Sequence, residues 1–269
     1  MKIKGFKPLL FLILSFYLFS SCSKYNALYK SDNIDEKYKA AQEYYNKGDY
    51  YHALGLFEDL LPYYKGTKEM ENLYYYYSFC YYYQNEYLLA AYNFKNYYTT
   101  YPNTFNAEEC LFMSAKCYFL LSPDTQLDQG DTEKAMDELQ LFVNTFPKSM
   151  RIPEANDMLD KLRGKLETKA FEGAMLYYNM QNWNAAAISF SNLLHDFPDT
   201  PDAEKANYFI TNADYQYAVN SIDSKIADRL EIAQKACKHY LQLFPSGAYL
   251  KEINSINDNI TKLLNKTTE

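Results

Sequence analysis

With eight glycines, three histidines and one tryptophan among 269 residues, the sequence is poor in the parts from which most active sites are made. It holds no glycine-rich phosphate loop and no GxSxG turn, and His52, His195 and His239 lie far apart with no HExxH pairing. The five cysteines include no CxxC, so neither a zinc knuckle nor a redox pair is spelled out, and no metal or other cofactor is expected. Acidic residues outnumber basic ones, 34 to 27, for a formal net charge of -7. A nucleic-acid partner, which requires a basic stripe to displace counterions, is therefore not expected. Nor does any apolar run reach the roughly 20 residues that a membrane-spanning helix needs. What is abundant is tyrosine: 30 Tyr and 17 Phe supply much of the 48% hydrophobic content, so the packing surfaces are built from rings suited to being half buried and half wet.

Residues 1–21 read as a signal peptide, with a basic start from Met1 to Lys7, an apolar run from Leu9 to Phe19 and a small-residue step before Cys22. Its removal takes away Lys2, Lys4 and Lys7 with no acid, which moves the formal charge from -7 to -10. Phe19-Ser20-Ser21-Cys22 resembles a bacterial lipobox, in which the Cys thiol is acylated and becomes the new N-terminus. The usual Leu stands one place earlier, at Leu18, and Ser21 fills the position next to the Cys. Each buried methylene of an acyl chain contributes about 0.8 kcal/mol, so several chains on Cys22 would hold the protein on a membrane. Residues 22–33 then form a lipidated linker, and no acidic cluster follows the Cys, which fits an outer-membrane anchor on the periplasmic face. The remaining cysteines, Cys80, Cys110, Cys117 and Cys237, are either paired in a disulfide or buried as free thiols; behaviour as small hydrophobes is the simpler expectation.

From residue 34 to 265 one pattern returns. A helix rich in Tyr and Ala is followed by a short polar break and a second helix, closed by an aromatic-Pro pair: Tyr101-Pro102, Phe146-Pro147, Phe197-Pro198, Phe244-Pro245. Apolar residues recur at helical spacing on the second helices: Ala53, Phe57 and Leu60; Tyr87, Ala90, Phe94 and Tyr97; Ala135, Leu139 and Phe142; Trp183, Ala186, Phe190 and Leu193; Ala233, Cys237 and Tyr240. The expected fold is all-α, a tetratricopeptide-type superhelical solenoid of about five helix pairs, with units lengthened beyond the roughly 34 residues of a minimal repeat. Asn106 and Asp202 are expected to cap the helices that follow the closing pairs. Stacked pairs would curve, so that the first helices line a concave surface. Aligning the units places Tyr38, Gln42 and Tyr45, then Tyr75, Phe79 and Tyr82, then Phe112, Lys116 and Phe119 on that surface as a candidate groove for a peptide substrate.

The stretch from Leu127 to Ala206 carries the most specific likeness. It holds Leu127-Asp128-Gln129, Thr132-Glu133-Lys134-Ala135, Phe146-Pro147-Lys148-Ser149, Pro153-Glu154-Ala155, Leu159-Asp160-Lys161-Leu162-Arg163 and Phe197-Pro198-Asp199-Thr200-Pro201-Asp202-Ala203-Glu204. With the lipobox and the repeats, the chain resembles the BamD family of the outer-membrane β-barrel assembly machine over nearly its whole mature length. The resemblance implies a non-catalytic lipoprotein whose N-terminal repeats receive unfolded outer-membrane proteins and whose C-terminal repeats dock the barrel-forming subunit. The repeats alone would equally suit a periplasmic scaffold for cell-envelope complexes; a glycan-capture lipoprotein is a further alternative, although such proteins are about twice this length with long insertions between repeats. Acylation has a direct check: in cells fed labelled palmitate the protein is expected to take up label and sediment with membranes, and Cys22→Ala to lose both.

Overall fold

A computed structural model describes residues 24–267; the expected signal peptide and Cys22 lie outside the described residues. After a short helical stretch at 24–29 the chain forms helix pairs: α1 (Ile34–Asn46) with α2 (Tyr50–Tyr64), α3 (Glu69–Tyr83) with α4 (Tyr87–Thr100), and α5 (Ala107–Leu121) with α6 (Gly130–Thr145). Next come α7 (Ile152–Asn179) with α8 (Trp183–Asp196), α9 (Ala203–Val219) with α10 (Asp223–Leu243), and a last helix, α11 (Leu250–Thr267). The fold is all-α and of the tetratricopeptide type, as the repeat pattern predicts. The described residues fall into two compact units, one up to Pro123 together with Asp128–Leu162, the other Asp124–Leu127 together with the residues from Arg163 onward. No helix among the described residues is long and apolar enough to cross a membrane.

Two kinds of turn generate the repeat. Within the first, second and fourth pairs the break is a Schellman motif centred on a left-handed residue: Gly48 (φ 78°), Asn85 (φ 63°) and Gln181 (φ 59°). In each, that residue's N–H and the next one reach back to two carbonyls at the end of the preceding helix, as Gly48 does to Tyr45 and Asp49 to Tyr44. The turns that close the second to fifth pairs are also superimposable in conformation. Tyr101, Phe146, Phe197 and Phe244 each end a helix at φ between -129° and -123° and ψ between 55° and 69°. A following proline excludes the helical region for the residue before it, and the aromatic ring is thereby swung back onto its own pair. The extra length of the units lies in α7, α10 and the loop at 122–129, where Lys169 of the second unit donates to the carbonyls of Thr125 (3.1 Å) and Leu127 (2.7 Å).

A carboxylate on the first helix then ties each of these closing turns down, for Glu71 only through the Tyr97 hydroxyl of α4, which also meets Thr104 (3.2 Å). Glu71 accepts from the Tyr97 hydroxyl (2.9 Å), Glu108 from Ser149 (2.5 Å), Glu167 from Thr200, and Glu204 from the Tyr240 hydroxyl (2.6 Å) and the Ala248 N–H. Capping differs from expectation. Asn33 and Asp49 accept from the first turns of α1 and α2, but Asn106 and Asp202, although placed at the N-caps of α5 and α9, accept nothing there. Their ψ values, -2° and 11°, are not the extended ones that aim a cap side chain at the free N–H groups.

The recurring stripe on the second helices is the core. Ala53, Phe57, Leu60, Ala90, Phe94, Tyr97, Ala135, Leu139, Phe142, Ala186, Phe190, Ala233, Cys237 and Tyr240 are all completely buried. The small Ala lets paired helices approach, and the larger residues fill the space to the next helix. In the second unit α11 lays Ile253, Ile256 and Ile260 onto Leu230, Ala233 and Cys237, covering a face the last pair cannot bury by itself. Cys80, Cys110, Cys117 and Cys237 are buried free thiols, and burial pushes Cys80 and Cys117 up to about 12 and Cys237 to about 11. A thiol reagent at pH 8 is expected to leave all four untouched until the chain unfolds. In urea denaturation Phe190→Ala should cost about 3–5 kcal/mol by opening a cavity. Gly48→Ala should cost about 1 kcal/mol through its left-handed φ alone, because a Cβ there meets no neighbour.

Candidate functional site

The densest aromatic surface lies on α1, α3 and the start of α2 and α4. From Leu73 to Tyr83, α3 presents rings on every side, and burying all of them against two neighbours is geometrically impossible. Leu73, Tyr77, Phe79 and Cys80 go inward, while Tyr74, Tyr75, Tyr76, Tyr81 and Tyr82 are half buried and Tyr83 is exposed. Tyr45 of α1 meets this helix edge-on at Tyr76 (4.9 Å) and Tyr83 (6.2 Å), and Tyr83 in turn stacks on Tyr50 (4.4 Å). Tyr75 packs on Phe79 (4.7 Å), and Tyr82 lies between Tyr83 (5.4 Å) and Tyr87 (5.8 Å). Such pairs add roughly 0.5–1.5 kcal/mol each beyond the area they bury. Burial pushes Tyr75 up to about 12 and Tyr45 further, so both keep a protonated hydroxyl that can donate to a bound carbonyl.

Of the nine residues proposed for the groove, Tyr45, Tyr75 and Tyr82 share this half-exposed aromatic surface. Tyr38 and Gln42 are half buried on α1, where Tyr38 leans on Tyr64 of α2 (5.5 Å). Phe79, 7% exposed, and Phe112, completely buried, belong to the core rather than to a surface. Helical spacing assigned them to the groove face, but the neighbouring helix on that side covers them: Phe79 packs edge-on against Phe94 (4.8 Å) and Phe112 against Phe142 (5.2 Å). Phe119 is half buried beside the same core.

Lys116 is not a free cation. Its ammonium binds Glu154 (2.9 Å), Glu154 also takes Arg151 (3.2 Å), and Arg151 grips Glu109 with two parallel bonds of 2.7 Å while its guanidinium lies over the Phe112 ring (4.5 Å). Burial alone would raise the Glu154 carboxyl, but the two cations outweigh it and hold it below the usual range. Sequence spacing gave no sign of this network, because its members come from α5 and from the turn into α7, some 40 residues apart.

A second residue missed from the sequence is Asp214 on α9. It is half buried with no hydrogen-bond or ion-pair partner among the described residues, and burial pushes its carboxyl up to about 6. A lone acid in a helix rich in Tyr and Asn carries no sequence signal of such an environment. Among the described residues no group of three or more His, Cys, Asp or Glu is arranged to hold a metal ion.

A family model described as YfiO, outer membrane lipoprotein, matches residues 30–230. No curated protein matches the chain. Among solved structures it is similar to the TPR domain of P58(IPK), at 15% identity over 89% of this chain and 68% of that one, with a TM-score of 0.42. It is also similar to a tetratricopeptide repeat protein from Parabacteroides merdae (12% identity, 88% and 75% covered, TM-score 0.35) and to the TPR2AB domain of yeast Sti1, solved with pHSP90 (13% identity, 85% and 98% covered, TM-score 0.40). The folded chain prefers Asp214 protonated, so its ionisation destabilises the fold above about pH 6 and the cost fades as the pH falls toward the ordinary value. Asp214→Asn is accordingly expected to raise unfolding stability by about 1–3 kcal/mol at pH 8, with the gain shrinking as urea titrations are repeated toward pH 4.

Proposed function

The chain belongs to the YfiO family of outer membrane lipoproteins, and from that premise we propose that it is a BamD-like component of the machinery that folds and inserts β-barrel proteins. In this reading Cys22 carries the lipid, the body faces the periplasm, unfolded outer-membrane proteins bind the first unit, and the barrel-forming subunit docks on the second. The protein works by holding partners, not by chemistry on them.

The observation that carries the reading is the half-exposed tyrosine surface formed where α1 meets α3, with Tyr45, Tyr75 and Tyr82 beside Tyr76 and Tyr83. An unfolded barrel strand is extended, alternates apolar with polar residues and carries aromatics near its ends. Rings can pack on its aromatics, and protonated hydroxyls can donate to its carbonyls, so a surface of this kind tolerates many sequences. Phe79 supports that surface from beneath through Tyr75 (4.7 Å), Tyr83 (5.9 Å) and Tyr82 (6.4 Å). The half-buried Asp214 gives the second unit a carboxylate that a cationic side chain of a docking partner would relieve.

Binding of a fluorescent peptide copied from the last strand of a barrel protein tests the first part. Tyr82→Ala and Tyr45→Ala are expected to weaken it by about fivefold or more each, roughly 1 kcal/mol, with Met150→Ala, an exposed residue elsewhere, leaving it unchanged. Unaltered affinity in both tyrosine variants would remove the groove from this surface. Co-purification of cell-wall enzymes, and of no barrel protein, with the tagged chain from detergent-solubilised outer membrane would favour the scaffold reading instead.

A further inference from the structure

The body of the protein has its own candidate contact with the bilayer, beyond the lipid. If Cys22 is acylated, as the proposed function holds and on which this inference rests, only Ser23 separates the lipid from Lys24, where the helical stretch at 24–29 begins. Two residue steps reach at most about 7 Å. That stretch is pinned to the first pair: the Tyr25 ring lies on His52 (4.3 Å) and against the edge of Tyr44 (5.9 Å). Its hydroxyl fills the space that a side chain at Gly55 would need. With so little slack, this corner of the molecule stays within a few ångströms of the lipid's attachment point.

What the corner exposes is apolar. Tyr51 is 74% exposed, Leu88 61% and Tyr92 62%, with Tyr29 and Leu89 also open to solvent. Tyr29, Tyr51 and Leu89 line one cleft of about 590 Å³, and Leu88 and Tyr92 stand one helical turn apart on α4, the helix that contributes Leu89 to it. The five pairs supply an internal comparison. Each has a completely buried Ala on its second helix, at 53, 90, 135, 186 and 233, and two places before it stand Tyr51, Leu88, Glu133, Asn184 and Glu231. All five positions are exposed, yet only the two pairs beside the anchored end are apolar there. Exposed apolar surface of this kind is normally removed unless something covers it, and Tyr is enriched where protein meets the headgroup layer. Lys24 and Lys30 flank the corner, but Glu58 and Glu86 stand there as well, so burial of apolar groups and not attraction to anionic lipid would drive the contact.

We propose that Tyr29, Tyr51, Leu88, Leu89 and Tyr92 rest in the interfacial layer of the membrane that holds the lipid anchor, so that the chain sits on the bilayer in one orientation. The test uses the lipidated mature protein with a single surface cysteine at Tyr51→Cys, Tyr92→Cys or, as the equivalent control, Glu133→Cys. Each is labelled with an environment-sensitive fluorophore on phosphatidylcholine vesicles containing nitroxide lipid. Labels at 51 and 92 are expected to be quenched at least about twofold more than the label at 133. Equal quenching at all three positions, in protein that still floats with the vesicles, would overturn the contact and leave the anchor standing. Failure of the wild-type protein to float would overturn the anchor and this inference with it. Shielding of 51 and 92 that arises only on adding the barrel-forming subunit would assign the face to a protein and overturn it too.

Discussion

Everything in this fold depends on one constraint: two amphipathic helices cannot bury their apolar faces against each other alone, so each pair is stable only when the next element covers it. The completely buried Ala at one place on every second helix lets the helices close up, and a larger residue four positions on fills the space between layers. Where the repeats stop, α11 takes over that duty with Ile253, Ile256 and Ile260, and its other side is free to be polar.

Stacking sets the layers, but the turns set their angle. The aromatic residue before each closing proline has one conformation in four separate places, and a carboxylate from the first helix of the same pair reaches that turn each time, directly or, for Glu71, through Tyr97 and Thr104. The acceptor is constant while the donor varies among Tyr, Ser and Thr, so the geometry of the turn is kept and its chemistry drifts. Acidic residues that look like ordinary surface charge in the sequence are in part these latches, which accounts for Glu71, Glu108, Glu167 and Glu204.

The tyrosine excess has two consequences that share a physical origin. A ring with a hydroxyl can lie half in a core and half in water, so α3 can carry rings on all sides without exposing bare hydrocarbon. The same property suits a surface that receives an aromatic peptide and a corner that touches lipid headgroups. One residue type can thus serve packing and, in the functions proposed above, recognition and contact with the membrane, with only the local geometry to separate the uses.

By itself the sequence determined the fold class, the helix breaks and the core stripe, because those follow from local periodicity and from residues such as Gly48, which permits a left-handed turn, and Pro102, which restricts the residue before it. It also carried a segment that resembles a lipobox and enough repeat detail to point to the family. Tertiary structure alone decided which rings are surface. Tyr75 and Phe79 stand four residues apart on one helix and look alike in a repeat alignment, yet the approach of α4 buries Phe79 and leaves Tyr75 half open. Repeat alignment placed Lys116 on the groove face, and only the fold brings Glu154, 38 residues away, beside it. Asp214 gives no local sign of its shifted carboxyl, since desolvation is a property of what packs around a residue and not of its neighbours along the chain.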